Sequence, residues 1–190
     1  RDLLESLSRS GVPMEEISDD EMGRFSGTER SQGVLLVVRE PQDALDRIEE
    51  VAAPRVLILD GIQDPGNAGT LIRSAWAFGL SGVFSLDGSV DPFNPKVARA
   101  SAGALAHIPV VRSPWTSVEP WAETRGLKFM VADGAGFDVR SITPPGAWGL
   151  VVGNEGAGVR ADVAARADVT IGVPIREGVD SLNAGLAGAI

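Results

Sequence analysis

The sequence contains no cysteine and only one histidine, His107. Without thiols the chain forms no disulfide, binds no zinc through thiolates and has no cysteine nucleophile. A single histidine excludes metal centres built from several, and because His107 begins a predicted strand, a structural role is favoured over a catalytic one. We therefore expect no metal. No apolar run approaches the roughly 18 residues of a membrane span, and no signal peptide is visible. We expect no membrane partner and a cytoplasmic location.

Positive charge is scarce as well. The chain has 17 Lys and Arg against 26 Asp and Glu, a net charge of −9. Residues 1–50 contain 13 acidic and 6 basic residues, whereas residues 51–190 contain 13 and 11. Most of the acidity is therefore local, and the run Glu15–Glu21 is interpreted as a solvated surface, with a partner-binding patch as the alternative. This balance argues against a protein that holds nucleic acid by bulk attraction.

Length and composition describe a globular protein. Of the 190 residues, 44% are hydrophobic and 23% charged, which argues against disorder. At roughly 150 residues per domain, the length fits one full domain and part of another. The chain begins at Arg1 rather than Met, and its last predicted helix, Ser181–Ile190, ends while still apolar. We therefore expect a piece of a longer chain.

Short runs rich in Val, Ile and Leu alternate with helical patterns, which is typical of βαβ units. Because these runs are apolar throughout, they predict strands that are buried on both faces, in a parallel sheet covered by helices. The predicted strands are Val34–Val38, Val56–Leu59, Val83–Leu86, Ile108–Val111, Phe129–Ala132, Gly149–Val152 and Val169–Val173.

The helical patterns lie between these runs. The predicted helices are Asp43–Val51, Asn67–Phe78, Pro95–Leu105, Val118–Thr124, Ala161–Ala167 and a last one from Ser181. In the second of them, Ile72, Ala75, Trp76 and Gly79 have the spacing i, i+3, i+4 and i+7, so we expect this stripe to face the core. Residues 1–32 show no complete pattern of their own.

Glycine and proline, 35 residues together, concentrate in four clusters that each follow a predicted strand. These clusters are Asp60–Gly69, Asp133–Gly136, Gly153–Gly158 and Pro174–Gly178. Open α/β sheets bind their ligands outside the carboxyl ends of their strands. The clusters therefore predict a binding site at that edge of the sheet.

One of these clusters contains a formal nucleotide-binding motif. Gly156–Ala161 reads GxGxxA, a formal dinucleotide fingerprint, which needs an acidic residue about 20 positions later at a strand end. The chain has Pro174–Arg176 there, and Glu177 and Asp180 stand in a glycine loop. A nicotinamide-dependent oxidoreductase therefore stays a minor alternative. The chain has neither a GxxxxGK[ST] phosphate loop nor a GxSxG nucleophile elbow.

Three other segments share an order and a spacing with one known family. They read DGIQDPGNAGTLIRSA at Asp60–Ala75, LVVGNEGAGV at Leu150–Val159 and VPIREGVDSLNAGLA at Val173–Ala187. These segments resemble the three motifs of the SpoU/TrmH family of RNA ribose 2′-O-methyltransferases, in the SPOUT superfamily. The stretch Lys96–Leu105 also resembles the middle segment of that family. The resemblance spans about Gly33–Ile190.

The resemblance implies a parallel α/β sheet flanked by helices, a C-terminal trefoil knot and an obligate homodimer. It implies S-adenosylmethionine as the methyl donor and structured RNA as the acceptor, with ribosomal RNA favoured over transfer RNA. Residues 41–190 would form the methyltransferase domain. Residues 1–40 resemble the C-terminal part of the ribosomal-protein-like RNA-binding domain that often precedes it. Such a transfer needs neither a metal nor a covalent intermediate.

The resemblance also assigns roles to individual residues. The expected catalytic and RNA-binding residues are Asn67, Arg73, Glu155, Ser181 and Asn183. The expected cofactor-binding residues are Gly153, Asn154, Gly156, Val173, Ile175 and Leu182. The family proposal makes Arg73 a general base, yet a guanidinium stays protonated in proteins, so a role in holding phosphate and stabilising the alkoxide is favoured. Glu155 would orient Arg73 or bond the ribose.

Other readings of the same residues stay open. Asn67 and Ser181 also suit the N-cap positions of predicted helices. A non-catalytic relative that binds RNA or cofactor on the same fold is the main alternative, and the presence of all five expected catalytic residues argues against it. Family members often carry Ser-Leu-Asn-Val-Ser where this chain has Ser181–Gly185, ending Ala-Gly. We expect the lost hydroxyl to alter outer contacts of the last helix rather than catalysis.

Overall fold

A computed structural model describes residues 2–26, 31, 33–176, 178–179 and 181–190. Contacts between Cα atoms divide the chain into two units, Arg1–Glu40 and Pro41–Ile190. The first unit contains helices α1 (Asp2–Arg9) and α2 (Asp19–Ser26). None of the described helices is long and apolar enough to cross a membrane.

Helix α2 begins with a capping box formed by Ser18 and Glu21. The Glu21 carboxylate accepts hydrogen bonds from the backbone amide of Ser18 at 3.0 Å and from its hydroxyl at 2.7 Å, and the amide of Glu21 donates back to the Ser18 hydroxyl at 3.3 Å. This reciprocal pair is a known start signal for helices. Hydrogen bonds from the backbone amide and then the hydroxyl of Ser18 lower the pKa of Glu21. Asp19 and Asp20 lie exposed in the first turn, where negative charge favours the helix dipole.

The predicted strand Val34–Val38 is wrong. The described residues 33–42 form no strand, and the side chains of Val37 and Val38 are largely exposed. An apolar run forms a strand only where a neighbouring strand is available to accept and donate its backbone hydrogen bonds. This run has no such neighbour among the described residues.

The second unit holds all of the described strands. In chain order its elements are α3 (Ala44–Glu49), β1 (Arg55–Asp60), α4 (Pro65–Ala77), β2 (Gly82–Ser85), α5 (Pro95–Ala100), β3 (Val110–Arg112), α6 (Trp115–Glu123), β4 (Lys128–Asp138), β5 (Trp148–Gly153), α7 (Ala161–Ala164), β6 (Val169–Gly172) and α8 (Ala184–Ala187). Single-turn 3-10 helices lie at Ala104–Ala106 and Val139–Ser141.

Within the described residues the strands form one six-stranded sheet in the order β3-β2-β1-β5-β4-β6, and every neighbouring pair is parallel. Alternate side chains of β1 face opposite layers: Leu57 packs with α4, α5 and α8, and Ile58 packs with α3, α6 and α7. The expected parallel sheet flanked by helices is therefore confirmed, with most strand positions correct to within one or two residues.

The apolar stripe of α4 differs from the predicted one. Leu71, Ile72 and Ala75 are buried, but the Trp76 side chain is 44% exposed and Gly79 lies beyond the helix. The indole of Trp76 stacks on the ring of His107, with centroids 4.4 Å apart. The Trp76 side chain therefore packs against His107 at the surface instead of being buried in the core.

Several predicted boundaries moved, and two of these shifts have an identifiable reason. Helix α5 ends at Ala100, because Ala102 and Gly103 adopt positive φ values and reverse the chain. Strand β4 continues past Ala132 to Asp138 through a register shift against β6. A Cβ on Gly136 would lie 2.5 Å from the Ile171 carbonyl carbon, so a glycine is required for the two strands to meet there.

Candidate active site

A cavity of about 490 Å³ lies at the carboxyl ends of β4, β5 and β6. This volume falls within the range of small-molecule sites, roughly 300–1,000 Å³. The floor is apolar and includes Val152 and Ile171. The rim residues come from the middle of β4, from the last residues of β5 and β6 with the segments that follow these two strands, and from the last segment of the chain: Asp133, Gly134, Ala135, Gly153, Asn154, Glu155, Gly158, Gly172, Val173, Ile175, Ser181 and Leu182.

The first motif forms the turn between β1 and α4. Asp64 is the N-cap of α4, and its carboxylate accepts a hydrogen bond from the amide of Asn67 at 2.8 Å. Pro65 occupies the first helical position, where its missing N–H costs nothing. The helix therefore begins two residues before the predicted Asn67, and the N-cap reading of Asn67 is wrong. Its side chain is available for other contacts.

Asn67 uses this side chain to contact the second motif. Asn67 is only 9% exposed. Its side-chain Nδ2 donates a hydrogen bond to Oε1 of Glu155. Two of the expected catalytic residues, from different motifs, are therefore in direct contact beside the cavity.

The loop after β5 is held by its own backbone and by Asn154. Backbone hydrogen bonds join Asn154 and Gly158 in both directions, at 3.0 and 2.9 Å. The side-chain oxygen of Asn154 accepts hydrogen bonds from the amides of Gly156 and Ala157, and its Nδ2 donates to the carbonyl of Gly61 at 3.0 Å. Asn154 thus shapes the loop that carries Glu155 and ties it to the turn after β1.

Gly153 permits the close return of this loop. A Cβ at that position would lie 2.4 Å from the carbonyl carbon of Gly158 and 2.4 Å from the amide nitrogen of Val159. Because these are backbone atoms, no side-chain rotation could relieve the clash. Glycine is needed here for packing rather than for an unusual φ.

The third motif reaches the same place through α8. Asn183, not Ser181, is the N-cap of this helix, and its side chain accepts a hydrogen bond from the Leu186 amide at 3.2 Å. The side-chain oxygens of Asn183 and Asn67 each lie 3.1 Å from the position that a Cβ on Gly185 would take. Gly185 therefore lets α8 approach Asn67 closely.

The structure gathers most, but not all, of the expected residues. Gly153, Asn154, Glu155, Val173, Ile175, Ser181 and Leu182 line the cavity. Asn67 and Asn183 lie beside it through the contacts above. Gly156 is exposed and outside the wall.

Arg73 also lies apart from the cavity. Its side chain is exposed on α4, outside the cavity wall, and contacts no hydrogen-bond or ion-pair partner among the described residues. His107, expected to be structural, stacks on Trp76 and accepts a hydrogen bond from Arg47 at its carbonyl, at the opposite end of the sheet.

Sequence reasoning missed Asp133, which lines the cavity as a second acidic residue and whose carboxylate accepts a hydrogen bond from the Ala135 amide at 2.8 Å. The signal was present, since Asp133 opens one of the glycine clusters that follow a predicted strand. Glu177 and Asp180 lie outside the described residues. Within the described part of the chain, no three Asp, Glu or His side chains are grouped as a metal site requires.

The chain is similar to a family of known proteins. The family model described as "SpoU rRNA Methylase family" matches residues 54–190. The chain is 36% identical over 182 residues to the 23S rRNA (guanosine(2553)-2′-O)-methyltransferase RlmP of Bacillus subtilis, covering 95% of this chain and 71% of that protein. It is 33% identical to an uncharacterized tRNA/rRNA methyltransferase of Mycobacterium avium, covering 64% of its length.

Solved structures agree. The SpoU methyltransferase AviRb of Streptomyces viridochromogenes, in complex with AdoMet, is 32% identical with a TM-score of 0.73, over 78% of this chain and 59% of that one. An AdoMet-bound rRNA methyltransferase of Sinorhizobium meliloti is 27% identical with a TM-score of 0.77, over 90% and 67%. The chain thus spans roughly two thirds of its relatives' length. Its second and third motifs line one cavity, and the first motif contacts the second beside it through Asn67. The chain belongs to the SpoU rRNA methylase family.

Proposed function

We propose that this chain is the catalytic part of an enzyme that transfers a methyl group from S-adenosylmethionine to the ribose 2′-hydroxyl of a nucleotide in ribosomal RNA. The observation that carries the proposal is the hydrogen bond between Asn67 and Glu155 at the rim of the cavity. Ribosomal RNA is favoured over transfer RNA because the Bacillus relative is named for a 23S rRNA position.

The cavity suits this cofactor chemically. S-adenosylmethionine supplies, when bound, a methyl group on a positively charged sulfur. The apolar floor at Val152 and Ile171 fits a purine, and the carboxylates of Asp133 and Glu155 complement positive charge. The residues that would hold the cofactor are Gly153, Asn154, Val173, Ile175 and Leu182, with Gly156 shaping the loop from outside the wall.

Asn67 and Glu155 would orient the acceptor. Because Asn67 holds one carboxylate oxygen of Glu155, the other can accept a hydrogen bond from the ribose hydroxyl and align its oxygen for in-line attack. Ser181 stands on the rim and Asn183 beside Asn67, where both can contact the ribose. Arg73 keeps its proton, so it would bind the neighbouring phosphate and stabilise negative charge on the attacking oxygen.

The proposal includes a homodimer. Arg73 is exposed on α4 and lies outside the cavity wall of its own chain, so a second copy on this face provides a way to complete the site. We further propose that the C-terminal segment that lines the cavity is threaded as a trefoil knot, that residues 1–40 end a ribosomal-protein-like RNA-binding domain, and that the protein acts in the cytoplasm.

The test is methyl transfer from labelled S-adenosylmethionine to purified ribosomal RNA, transfer RNA and DNA of matched sequence. We expect label in ribosomal RNA as a 2′-O-methylated nucleoside, identified by mass spectrometry after digestion. DNA should stay unlabelled because it lacks the acceptor hydroxyl.

Each alternative has its own outcome. Tight binding of S-adenosylmethionine by calorimetry without transfer to any RNA would favour a non-catalytic relative. Binding of NAD without binding of S-adenosylmethionine would favour an oxidoreductase. Label confined to transfer RNA would overturn the assigned substrate but leave the chemistry intact.

A further inference from the structure

A buried carboxylate fastens the loop that carries Glu155 to the end of β1. Asp60, the last residue of β1, is 1% exposed. Its Oδ2 accepts a hydrogen bond from the backbone amide of Arg160 at 2.7 Å, and its Oδ1 accepts one from Nε of the same residue, also at 2.7 Å. A buried charge is retained only with such partners, since leaving it unpaired is costly.

Arg160 lies at the C-terminal end of the loop that carries Glu155. The N-terminal end of this loop, Asn154, is bound to Gly61, the residue after Asp60. Asn154 donates a side-chain hydrogen bond to the carbonyl of Gly61 at 3.0 Å. Both ends of the loop are therefore joined to Asp60 and Gly61, with Glu155 between them. The same turn leads into α4, which carries Asn67, so it connects both partners of the Asn67–Glu155 contact.

We propose that Asp60 and Arg160 are a positioning pair that holds Glu155 against Asn67, and that this pair governs the rate of methyl transfer rather than the binding of cofactor or RNA. This inference rests on the proposed function. Neither residue belongs to the cavity wall as the described residues form it, so both act through Glu155 and not on the reacting atoms.

The chain offers a matched control at the other end of the sheet. Asp168 also accepts one hydrogen bond from a cation, Lys128 Nζ at 2.9 Å, and one from a backbone amide, that of Phe129 at 2.8 Å. It lies before β6, away from the cavity wall. Asp168→Asn removes a more exposed ion pair that has the same two kinds of donor, without touching the Glu155 loop.

The kinetic test compares Asp60→Asn, Arg160→Gln and Asp168→Asn in the full chain. We expect the first two to lower kcat at least tenfold, since misplacing a reacting group by about 1 Å can cost about a hundredfold. KM for RNA and the calorimetric Kd for S-adenosylmethionine should change less than about threefold, and Asp168→Asn should keep kcat within about twofold. Arg160→Lys should recover part of the loss because it restores the charge.

Unchanged kcat in both Asp60→Asn and Arg160→Gln would overturn the inference, as would a loss confined to KM or Kd. Arg160→Gln keeps the backbone contact to Asp60 and serves if Asp60→Asn fails to fold.

A second measurement needs no turnover. Amide hydrogen exchange at Gly156–Gly158 should accelerate at least tenfold in Arg160→Gln and stay at the wild-type rate in Asp168→Asn. Equal exchange rates in all variants would overturn the inference, whether or not the wild type transfers a methyl group. Absence of methyl transfer by the wild type would instead overturn the proposed function.

Discussion

The side-chain amide of Asn67 donates a hydrogen bond to the carboxylate of Glu155, although 88 residues separate them in sequence. The two meet because β1 and β5 are neighbours and their register pairs Asp60 with Gly153. The segments that leave these strand ends therefore start side by side. The pairing of two strands thus brings together two motifs that are far apart in sequence.

The Asn67–Glu155 contact should behave as one unit. We expect Asn67→Ala and Glu155→Gln each to lower kcat by about a hundredfold, and the double variant to lose little more, because groups that act together are not additive. Steady-state kinetics on ribosomal RNA measure this. Gln63→Ala, an exposed change in the same turn, is the control. A double variant whose fold-loss in kcat equals the product of the two single losses would contradict a shared role.

Arg73→Ala should abolish methyl transfer and leave the affinity for S-adenosylmethionine near that of wild type. The reason is that Arg73 lies outside the cavity wall and is proposed to act on the RNA phosphate and the attacking oxygen. Arg73→Lys should restore little, because an ammonium lacks the planar fork of guanidinium. Transfer assays and calorimetry check both statements. Activity of Arg73→Ala within a few-fold of wild type would show that the catalytic assignment is wrong.

Gly153→Ala should destabilise the loop after β5 and abolish cofactor binding. Its Cβ would lie 2.4 Å from the backbone of Gly158 and Val159, so the backbone must move, at a cost of about 2 kcal/mol or more in the free energy of unfolding. Gly146→Ala is the control, since its Cβ would meet no atom within 4 Å and Gly146 lies outside the cavity wall. Urea unfolding and calorimetry separate the two. Equal cofactor binding by both variants would contradict the role of Gly153.

Asp168 should make stability depend on pH at the acidic end. Burial raises its pKa, but hydrogen bonds from Lys128 and the Phe129 amide outweigh this and leave the pKa below its ordinary value of 3.8. Because the folded pKa is lowered, the contribution is complete well above pH 3.8 and is lost as pH falls through the folded value. Asp168→Asn should therefore cost less than about 1 kcal/mol at pH 7, as the side chain is partly exposed.

Urea unfolding of Asp168→Asn and wild type, at pH 7 and at about pH 3, tests this. The difference between the two proteins should shrink at the lower pH. Asp87→Asn, at an exposed position, provides the control. If the difference in free energy of unfolding between wild type and Asp168→Asn were the same at both pH values, ionised Asp168 would not be the cause of that difference.

Local patterns were sufficient for some elements and insufficient for others. The runs around Leu57 and Val151 predicted buried parallel strands correctly, because continuous apolar residues fit only a sheet covered on both faces. Val34–Val38 has the same pattern and forms no strand, since pairing depends on a neighbour that local sequence does not specify. Trp76 likewise fitted the helical period, but it lies at the surface, where its ring stacks on His107.

The sequence by itself determined the family, the parallel sheet and the glycine clusters at its carboxyl edge, because motif order and apolar periodicity are properties of the linear chain. Only the tertiary structure decided which side chains meet: that Asn67 contacts Glu155, that Asp133 joins the cavity wall, and that buried Asp60 is bound by Arg160. These contacts depend on strand order and register, which follow from packing of the whole domain rather than from any local pattern.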